Sequence, residues 1–124
     1  MKLSNNFNLN EFNKHNFALS DMILKNIQEL AKNLQVLRDE VKKPITVTSG
    51  YRNAAYNAKI GGAKASQHLT GRAADIKISG MTPKEVAAVI EKLIAAGKMK
   101  EGGLGIYRTW IHYDTRGTKS RWSK

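Results

Sequence analysis

The sequence contains no cysteine, and this absence restricts both its folding and its metal chemistry. A disulfide framework is excluded, and so are zinc fingers and zinc ribbons, which take Cys ligands. Any metal site in this chain must therefore use His and carboxylate ligands. Such a donor set favours a catalytic site with an open coordination position over a closed structural one.

Long apolar runs are also missing. No stretch of the chain is apolar over the roughly 20 residues that a membrane-spanning helix needs. The N-terminal residues 1–6 lack the apolar core of a signal peptide, so we expect synthesis in the cytoplasm without stable membrane insertion. A task outside the cell, on the cell wall, would then require release by another factor.

Linkers and internal repeats are absent as well. At 124 residues the chain is large enough for one hydrophobic core, and we expect a single domain over residues 1–124. Residues 1–18 form an Asn-rich N-terminal segment. In it, Phe7, Phe12 and Phe17 are expected to pin a loop onto the body of the domain.

Acidic residues are few: 10 Asp and Glu stand against 21 Lys and Arg, which gives a formal net charge of +11. A field of this sign attracts polyanions such as nucleic acid, an anionic membrane or the polymers of a bacterial wall. The Lys and Arg residues are scattered and most aromatic residues fit core roles, so we do not expect a nucleic-acid partner.

One long helix and one shorter helix are predicted from apolar periodicity and capping. Ser20 is a typical N-cap, and apolar residues recur every three or four positions from Ile23 to Val41. Thr82 and Glu85 form a capping-box pattern before a second apolar face. The heptad spacing of the first stripe could support a coiled-coil dimer, but so short a repeat favours packing within the domain, and we expect a monomer.

β-Branched and aromatic segments predict the strands. They alternate irregularly with the helices and show no βαβ rhythm, so the predicted fold class is α+β, with a small antiparallel sheet flanked by helices. The predicted strands cover residues 45–48, 73–78, 104–107, 110–114 and 119–122, and a short helix is predicted over 54–58.

Two candidate metal ligands lie on either side of a glycine. His68 and Asp75 are separated by a loop in which Gly71 permits a sharp turn, and His112 lies in a downstream strand. Two histidines, one carboxylate and an open position are the ligand set of a catalytic zinc site. The alternative is a capped turn at His68 and a half-buried His112 in the sheet. His15 has no partner ligand near it in sequence and is expected to be a solvated bystander.

Two further residues are candidates for catalysis. Asp114 lies two residues beyond His112 and so on the same strand face, where a carboxylate beside a metal-bound water can act as a general base. The alternative for Asp114 is an ion pair with Arg116 or Arg121. Arg52 follows a Ser-Gly-Tyr turn, and its guanidinium suits a developing oxyanion or a substrate carboxylate.

An ordered set of motifs runs from about residue 7 to residue 123. The motifs are Ser49-Gly50-Tyr51-Arg52, Gly61-Gly62-Ala63, Ser66-Gln67-His68 with Gly71, Ala74-Asp75, Gly103-Leu104-Gly105-Ile106-Tyr107 and His112-Tyr113-Asp114. Together they resemble the M15 family of zinc peptidases, and its small single-domain branch in particular. This family includes D-alanyl-D-alanine carboxypeptidases and peptidoglycan endopeptidases of phages and bacteria.

The resemblance implies a fold and a cofactor. The fold is the α+β architecture shared by DD-peptidases of this family and the hedgehog signalling domain. The cofactor is one zinc ion, held by His68, Asp75 and His112. The implied substrate is the peptide stem or cross-bridge of peptidoglycan, often at a bond beside a D-amino acid.

The resemblance also covers residues that handle substrate, with one departure. Arg52 matches an arginine that contacts substrate and stabilises the transition state, and Ser66, with its neighbour Gln67, lies where some members hold substrate. Many members carry the catalytic acid three residues before the last zinc ligand, where this chain has Thr109. Asp114 is then the best replacement as the group that shuttles the proton.

We therefore expect a zinc metallopeptidase that acts on bacterial peptidoglycan as a D,D- or L,D-carboxypeptidase or endopeptidase. An endolysin-like role in phage or prophage lysis, or in wall remodelling, fits this activity. One alternative is a non-haem iron oxygenase that uses His112, Asp114 and His68 as a facial triad, although this chain reverses the usual order of that motif. The other is a basic module on the same fold that binds wall polymer or nucleic acid without catalysis.

Overall fold

The computed structural model describes all 124 residues and contains four α-helices and seven β-strands. The helices are α1 (Leu9–Phe12), α2 (Asp21–Val41), α3 (Ala54–Lys59) and α4 (Pro83–Ala95). The strands are β1 (Lys2–Ser4), β2 (Phe7–Asn8), β3 (Ile45–Ser49), β4 (Ala73–Ile78), β5 (Gly103–Ile106), β6 (Ile111–Asp114) and β7 (Ser120–Ser123). None of the helices combines the length and the hydropathy that a bilayer crossing requires.

Capping residues fix where the two long helices begin. At the start of α2 the Ser20 hydroxyl accepts a hydrogen bond from the Ile23 amide at 3.2 Å, and Lys42 ends the helix in a left-handed conformation at φ 55°. At the start of α4 the Thr82 hydroxyl accepts from the Glu85 amide at 3.2 Å, and the Glu85 carboxylate accepts from the Thr82 amide at 2.8 Å. Both predicted helices are confirmed.

Five strands form the main sheet in the order β3-β4-β6-β5-β7. All five predicted strands are present, with ends that move by no more than one residue. β4 is antiparallel to β3 and β6, and β5 is antiparallel to β6, but β7 is parallel to β5. The expected antiparallel sheet is therefore mixed at one edge. After β6 the chain crosses to the outer side of β5, where it forms β7. β5 and β7 both run opposite to β6, so they are parallel to each other.

The two faces of this sheet have different surroundings. Alternate residues such as Ile76, Leu104 and Ile111 are at most 3% exposed and share one core with the buried faces of α2 and α4. The residues between them point to the opposite face. Because one face is fully covered by apolar packing, the register of the strands is strongly specified.

One row of residues crosses the second face through all five strands. The row consists of Ser49, Asp75, His112, Gly105 and Trp122, each paired with the next. An irregularity in β3 just before Ser49 brings that residue into the row. Two of the predicted metal ligands are consequently direct neighbours across two strands.

The N-terminal segment is more regular than a loop. β1 and β2 pair as a small antiparallel sheet and α1 follows, so the prediction of a loop over residues 1–18 is wrong for these parts. Phe7 and Phe12 are each 1% exposed, with ring centroids 5.7 Å apart, and the expected attachment by aromatic residues is confirmed for both. Phe17 is only partly buried. Sequence patterns missed these elements because two to four residues are too few to show a period.

Arg121 joins β7 to α4 and gives the fold a pH-sensitive contact. Its guanidinium donates to both Glu91 carboxylate oxygens at 2.9 Å and to the Glu101 carboxylate at 2.7 Å. The hydrogen bonds from Arg121 hold the pKa of Glu91 below its usual value of 4.5. The ionised form of Glu91 is therefore favoured by folding.

We predict that Glu91→Gln lowers the free energy of unfolding at neutral pH and that this loss disappears in acid. A carboxyl with a lowered folded-state pKa contributes stability above its unfolded pKa and loses that contribution as pH falls through the folded value. Because the Glu91 side chain is 48% exposed, the difference should not exceed about 1 kcal/mol. Urea denaturation at about pH 7 and about pH 3 measures it. Glu40→Gln, exposed on α2, is the control, and a difference that is equal at both pH values would contradict the assignment.

Candidate metal centre

His68, Asp75 and His112 lie together in the structure. His68 Nε2 and His112 Nδ1 are each 3.3 Å from Asp75 Oδ1, and the three ligand atoms lie within 4.8 Å of one another. The residues are 3%, 8% and 7% exposed, respectively. The structure thus brings the predicted triad together and positions it to bind one metal ion.

A 3₁₀ turn over Gln67–Thr70 presents His68. Ser66 caps this turn, because its hydroxyl accepts from the His68 amide at 3.2 Å, and Gly71 ends it at φ 76°, a conformation that favours glycine. The Arg52 amide donates to the His68 carbonyl at 3.0 Å and ties the turn to the end of β3. From the sequence we predict a loop here, because four residues are too few to show the apolar periodicity of a helix.

Strand pairing presents the other two ligands. Asp75 in β4 and His112 in β6 are directly opposite in register, so both side chains leave the same face of the sheet. Directly opposed residues of an antiparallel pair have Cβ atoms about 4.5–5.5 Å apart. This separation allows both side chains to contact one ion without distortion of the strands.

The hydrogen bonds behind the two imidazoles decide which nitrogens face the centre. His68 Nδ1 lies 2.7 Å from the Gly50 carbonyl oxygen, and His112 Nε2 lies 2.6 Å from Asp114 Oδ2. Neither oxygen has a proton to give, so these nitrogens donate, and the lone pairs of His68 Nε2 and His112 Nδ1 point toward Asp75. Three lone-pair donors this close repel one another unless a cation lies between them. The donor set therefore fits Zn²⁺, which takes His nitrogen and carboxylate oxygen ligands.

Burial and neighbouring charges act in opposite directions on these groups. Burial alone would raise the pKa of Asp75, but the adjacent imidazoles of His112 and His68 outweigh it and hold that pKa at about 2. Burial alone would lower the pKa of His112, but the neighbouring carboxylates of Asp114 and Asp75 favour a protonated ring and raise that pKa above its usual 6.5. Both shifts show that the centre favours positive charge between its ligands.

Asp114 lies behind His112 and not in front of the ligands. Its side chain is 0% exposed; besides the bond from His112, it accepts from the Gly103 amide at 2.8 Å and from Arg116 Nε and Nη2 at 2.9 and 2.8 Å. Burial alone would raise the pKa of Asp114, but hydrogen bonds from His112, Arg116 and Gly103 lower it. Asp114 shares a strand face with His112, as expected, yet the imidazole separates it from Asp75. The ion pair with Arg116, the alternative for Asp114, is present, and the expected role of Asp114 as the group that shuttles the proton stays a prediction.

Arg52 reaches the centre from the loop after β3. Its Nη2 lies 3.8 Å from Asp75 Oδ2 and donates to Ser49 Oγ at 3.3 Å, while its Nη1 donates to Asn57 Oδ1 at 3.3 Å. The Nε atom of Arg52 is buried and has no hydrogen-bond partner. Asn57 is 4% exposed and also donates to the Ala63 carbonyl at 2.9 Å. The sequence offers one indication that Asn57 belongs to the site, namely that its side chain is polar in the alanine-rich α3.

A cleft of about 370 Å³ opens over these residues. Arg52, Ser66 and Gln67 all line it, so the three predicted substrate-binding residues share one cavity with the metal ligands. Gln67 Oε1 is buried and has no hydrogen-bond partner. Asp75 is the single carboxylate among the lining residues.

Three aromatic residues that the sequence analysis does not assign to a site form another wall of the cleft. Trp122 lies on Gly105, where an added Cβ would come within 2.4 Å of its ring, and its ring centroid is 5.0 Å from that of His112. Trp122 Nε1 donates to the Tyr107 hydroxyl at 2.9 Å, and the Tyr107 ring stacks on Trp110 at 4.7 Å. The sequence indicates the position of Trp122 only through Gly105, because a glycine inside a strand often marks the close approach of a neighbouring group.

Two residues considered from the sequence lie away from the ligands. His15 is exposed and packs on Tyr56, with ring centroids 4.3 Å apart. Thr109 is exposed and lines a different cavity of about 320 Å³. Neither residue therefore takes part in the cleft.

Comparisons with known proteins agree with this arrangement. The model of the Peptidase M15 family matches residues 5–114. The chain is 38% identical over 78 residues to the probable peptidoglycan L,D-endopeptidase MepK of Haemophilus influenzae, a match that covers 57% of this chain and 39% of that protein. It is 46% identical over 44 residues to the zinc D-Ala-D-Ala carboxypeptidase of Streptomyces albus G, a match that covers 35% and 17%, respectively.

These matches differ in how much of each protein they cover. The chain spans less than half the length of either relative. The family match, in contrast, covers most of the chain and includes Arg52 and all three members of the His68–Asp75–His112 cluster. The chain belongs to the M15 peptidase family.

Proposed function

We propose that the chain is a zinc-dependent peptidase that hydrolyses a peptide bond of bacterial peptidoglycan, in the stem or cross-bridge and beside a D-amino acid. The observation that carries the proposal is the buried His68–Asp75–His112 cluster in an open cleft. Membership of the M15 family supports the reaction class, and the named activities of the two relatives support a wall peptide as the substrate.

His68, Asp75 and His112 would hold the zinc ion and leave a position open to the cleft. Zinc supplies a Lewis acid for the carbonyl of the scissile bond and lowers the pKa of a water from about 15.7 to about 7. The chain itself fixes the ligands: the Gly50 carbonyl holds one imidazole from behind and Asp114 holds the other.

Arg52 donates to the substrate oxygen on which negative charge develops. Its guanidinium lies beside Asp75 and lines the cleft, and its Nε has no partner within the chain. The guanidinium carries a permanent positive charge, and a group of this kind at the wall of the cleft stabilises an oxyanion that develops beside it. This geometry supports a role in the transition state as well as in binding.

Ser66 and Gln67 bind the substrate backbone. Gln67 lines the cleft, and its amide group has both donors and an acceptor for a peptide backbone. The Ser66 hydroxyl accepts from the His68 amide and so keeps its own hydrogen for a substrate carbonyl. Tyr107 and Trp122 cover the other side of the cleft and limit the access of water.

Asp114 positions His112, because its carboxylate lies behind the imidazole and does not line the cleft. A carboxylate behind a ligating imidazole fixes the tautomer and the orientation of the ring. Arg116 pairs with Asp114 through two hydrogen bonds, so its buried charge is compensated. The Gly103 amide adds a third bond that prevents rotation of the carboxylate.

The cleft also supports a second candidate function, a wall-binding module without catalysis. Asp75 is the one carboxylate that lines the cleft, and as a ligand it is not free to act as a general base. Such a module would bind wall polymer and cleave nothing. The first experiment below separates the two functions.

We predict that the zinc-loaded protein cleaves muropeptides of defined structure and that EDTA abolishes the cleavage. Mass spectrometry of the new termini identifies the bond and separates D,D- from L,D- and endo- from carboxypeptidase action. His68→Ala should lower kcat/KM by more than roughly 100-fold, because it removes a metal ligand. Loss of a residue that only hydrogen-bonds to a ligand costs roughly 10–100-fold.

The exposed His15→Ala is the matched control and should keep full activity. Sedimentation with wall sacculi measures binding apart from cleavage. Cleavage that survives both EDTA and His68→Ala would refute zinc catalysis. Wall binding by a wild-type protein that cleaves no muropeptide would establish the second candidate function.

We predict that Asp114→Asn weakens zinc binding roughly 10–100-fold, because the neutral amide loses the Arg116 ion pair and orients His112 less strongly. Competition with a chromophoric chelator measures the affinity, and the visible spectrum of the cobalt-substituted protein reports the ligand geometry. Asp39→Asn, exposed on α2, is the control. Wild-type zinc affinity with a kcat lowered about 10²–10⁴-fold would instead identify Asp114 as the proton shuttle.

We predict that Arg52→Lys lowers kcat about 10²–10³-fold and leaves zinc affinity unchanged. Lysine keeps the positive charge but lacks the planar fork that donates to Ser49 and Asn57 and fixes the charge beside Asp75. Steady-state kinetics on a cleaved muropeptide measure the effect, with Arg38→Lys in α2 as the control. A raised KM with an unchanged kcat would restrict Arg52 to ground-state binding.

A further inference from the structure

A second cavity adjoins the metal cleft. Its volume is about 530 Å³, and we call it the cationic cavity because Lys84, Arg108 and Lys124 line it and no Asp or Glu does. Tyr107 and Lys124 line both this cavity and the metal cleft. The cationic cavity lies where β5 and β7 end, toward the start of α4, so a peptide that crosses the metal ligands would reach it by passing Tyr107 at that end of the sheet.

The three cations of the cavity are not neutralised by the chain's own acids. All three are exposed, and the ion pairs of Lys and Arg in the structure use other residues. Glu85, next to Lys84 in the chain, turns its carboxylate to the Thr82 amide at 2.8 Å in the cap of α4. These cations are thus available to an anionic ligand.

The two chain segments that supply most of the walls of the metal cleft carry a net positive charge. Residues 49–71, which form one side of the cleft, contain three Lys and Arg and no acid, and residues 103–124 contain five against one, Asp114. That acid is buried and paired with Arg116. A net potential of this sign attracts an anionic substrate and raises its local concentration.

We propose that the cationic cavity is a subsite for a free carboxylate of the substrate peptide, close to the scissile bond. This inference rests on the proposed function, because it assumes that the peptide lies across the metal ligands. A guanidinium such as that of Arg108 can bind a carboxylate through two parallel hydrogen bonds. Amidation of that carboxylate removes its charge, so the peptidase selects acidic over amidated forms of the stem.

Binding of paired stem peptides to the zinc-loaded full chain tests the proposal. In each pair one carboxyl is either free or amidated, and each carboxyl of the stem is varied in turn. Rapid-mixing tryptophan fluorescence measures the Kd before cleavage proceeds, because both tryptophans, Trp110 and Trp122, line the metal cleft. Mass spectrometry of the same mixtures measures cleavage separately.

For one carboxyl position, the acid form should bind about 3–10-fold more tightly at about 10 mM salt, and about 1 M salt should remove the preference. The double variant Lys84→Gln/Arg108→Gln should lose the preference as well. Lys32→Gln, which removes an exposed cation of α2, should keep it. Circular dichroism of each variant verifies its fold.

The other possible results contradict either the carboxylate subsite or the proposed peptidase function. Equal Kd values for acid and amide forms at every position, or a preference that the double variant keeps, overturn the subsite. A preference that Lys32→Gln also loses assigns the effect to net charge and overturns it too. Peptides that bind with the expected preference but are not cleaved contradict the proposed function and leave the subsite in place.

Discussion

The pairing of Asp75 with His112 across β4 and β6 is the constraint on which the rest of the site depends. A slip of one residue in either strand would turn a ligand toward the core and a core residue such as Tyr113 toward the cleft. The apolar residues on the other face prevent that slip, because Tyr113 and Ile111 are both 0% exposed. The packing of the core and the geometry of the metal centre are therefore one and the same restraint.

The charges of the centre are balanced unevenly, and this imbalance favours a metal ion. Asp114 contacts a permanently charged guanidinium, that of Arg116, at 2.8 Å, whereas the guanidinium nearest Asp75, that of Arg52, is 3.8 Å away. A buried carboxylate without full compensation is unfavourable, and a cation between Asp75 and the imidazoles would remove that cost. The close fit behind His112 also explains Gly103, where an added Cβ would come within 2.2 Å of Asp114 Oδ2.

Those features that depend on local signals could be predicted from the sequence, and those that depend on distant pairing could not. Ser20 and Thr82 mark helix starts through bonds to residues three positions away, so both helices were within reach of sequence rules. The ligand set was predictable because His and Asp are the available zinc donors. The direction of Asp114 and the position of Trp122 depend instead on which strands are neighbours. In particular, Trp122 lies close to His112 only because β6 and β7 pair with β5 on either side of Gly105. No local sequence pattern indicates that β7 joins the sheet parallel to β5.

The walls of the cleft differ in chemistry, and this difference sets the orientation of a bound peptide. Ser66 and Gln67 offer hydrogen-bonding groups on the side of the 3₁₀ turn, where a peptide backbone needs partners. The opposite side offers the flat faces of Tyr107 and Trp122 and then the cations beyond them. A peptide that presented its carboxylates to the 3₁₀ turn would leave them apart from Lys84 and Arg108 and would bring few backbone groups to the aromatic wall. If a wall peptide is the substrate, as proposed, its backbone would lie against the 3₁₀ turn, its scissile carbonyl beside Arg52 and its charged groups toward the cationic cavity.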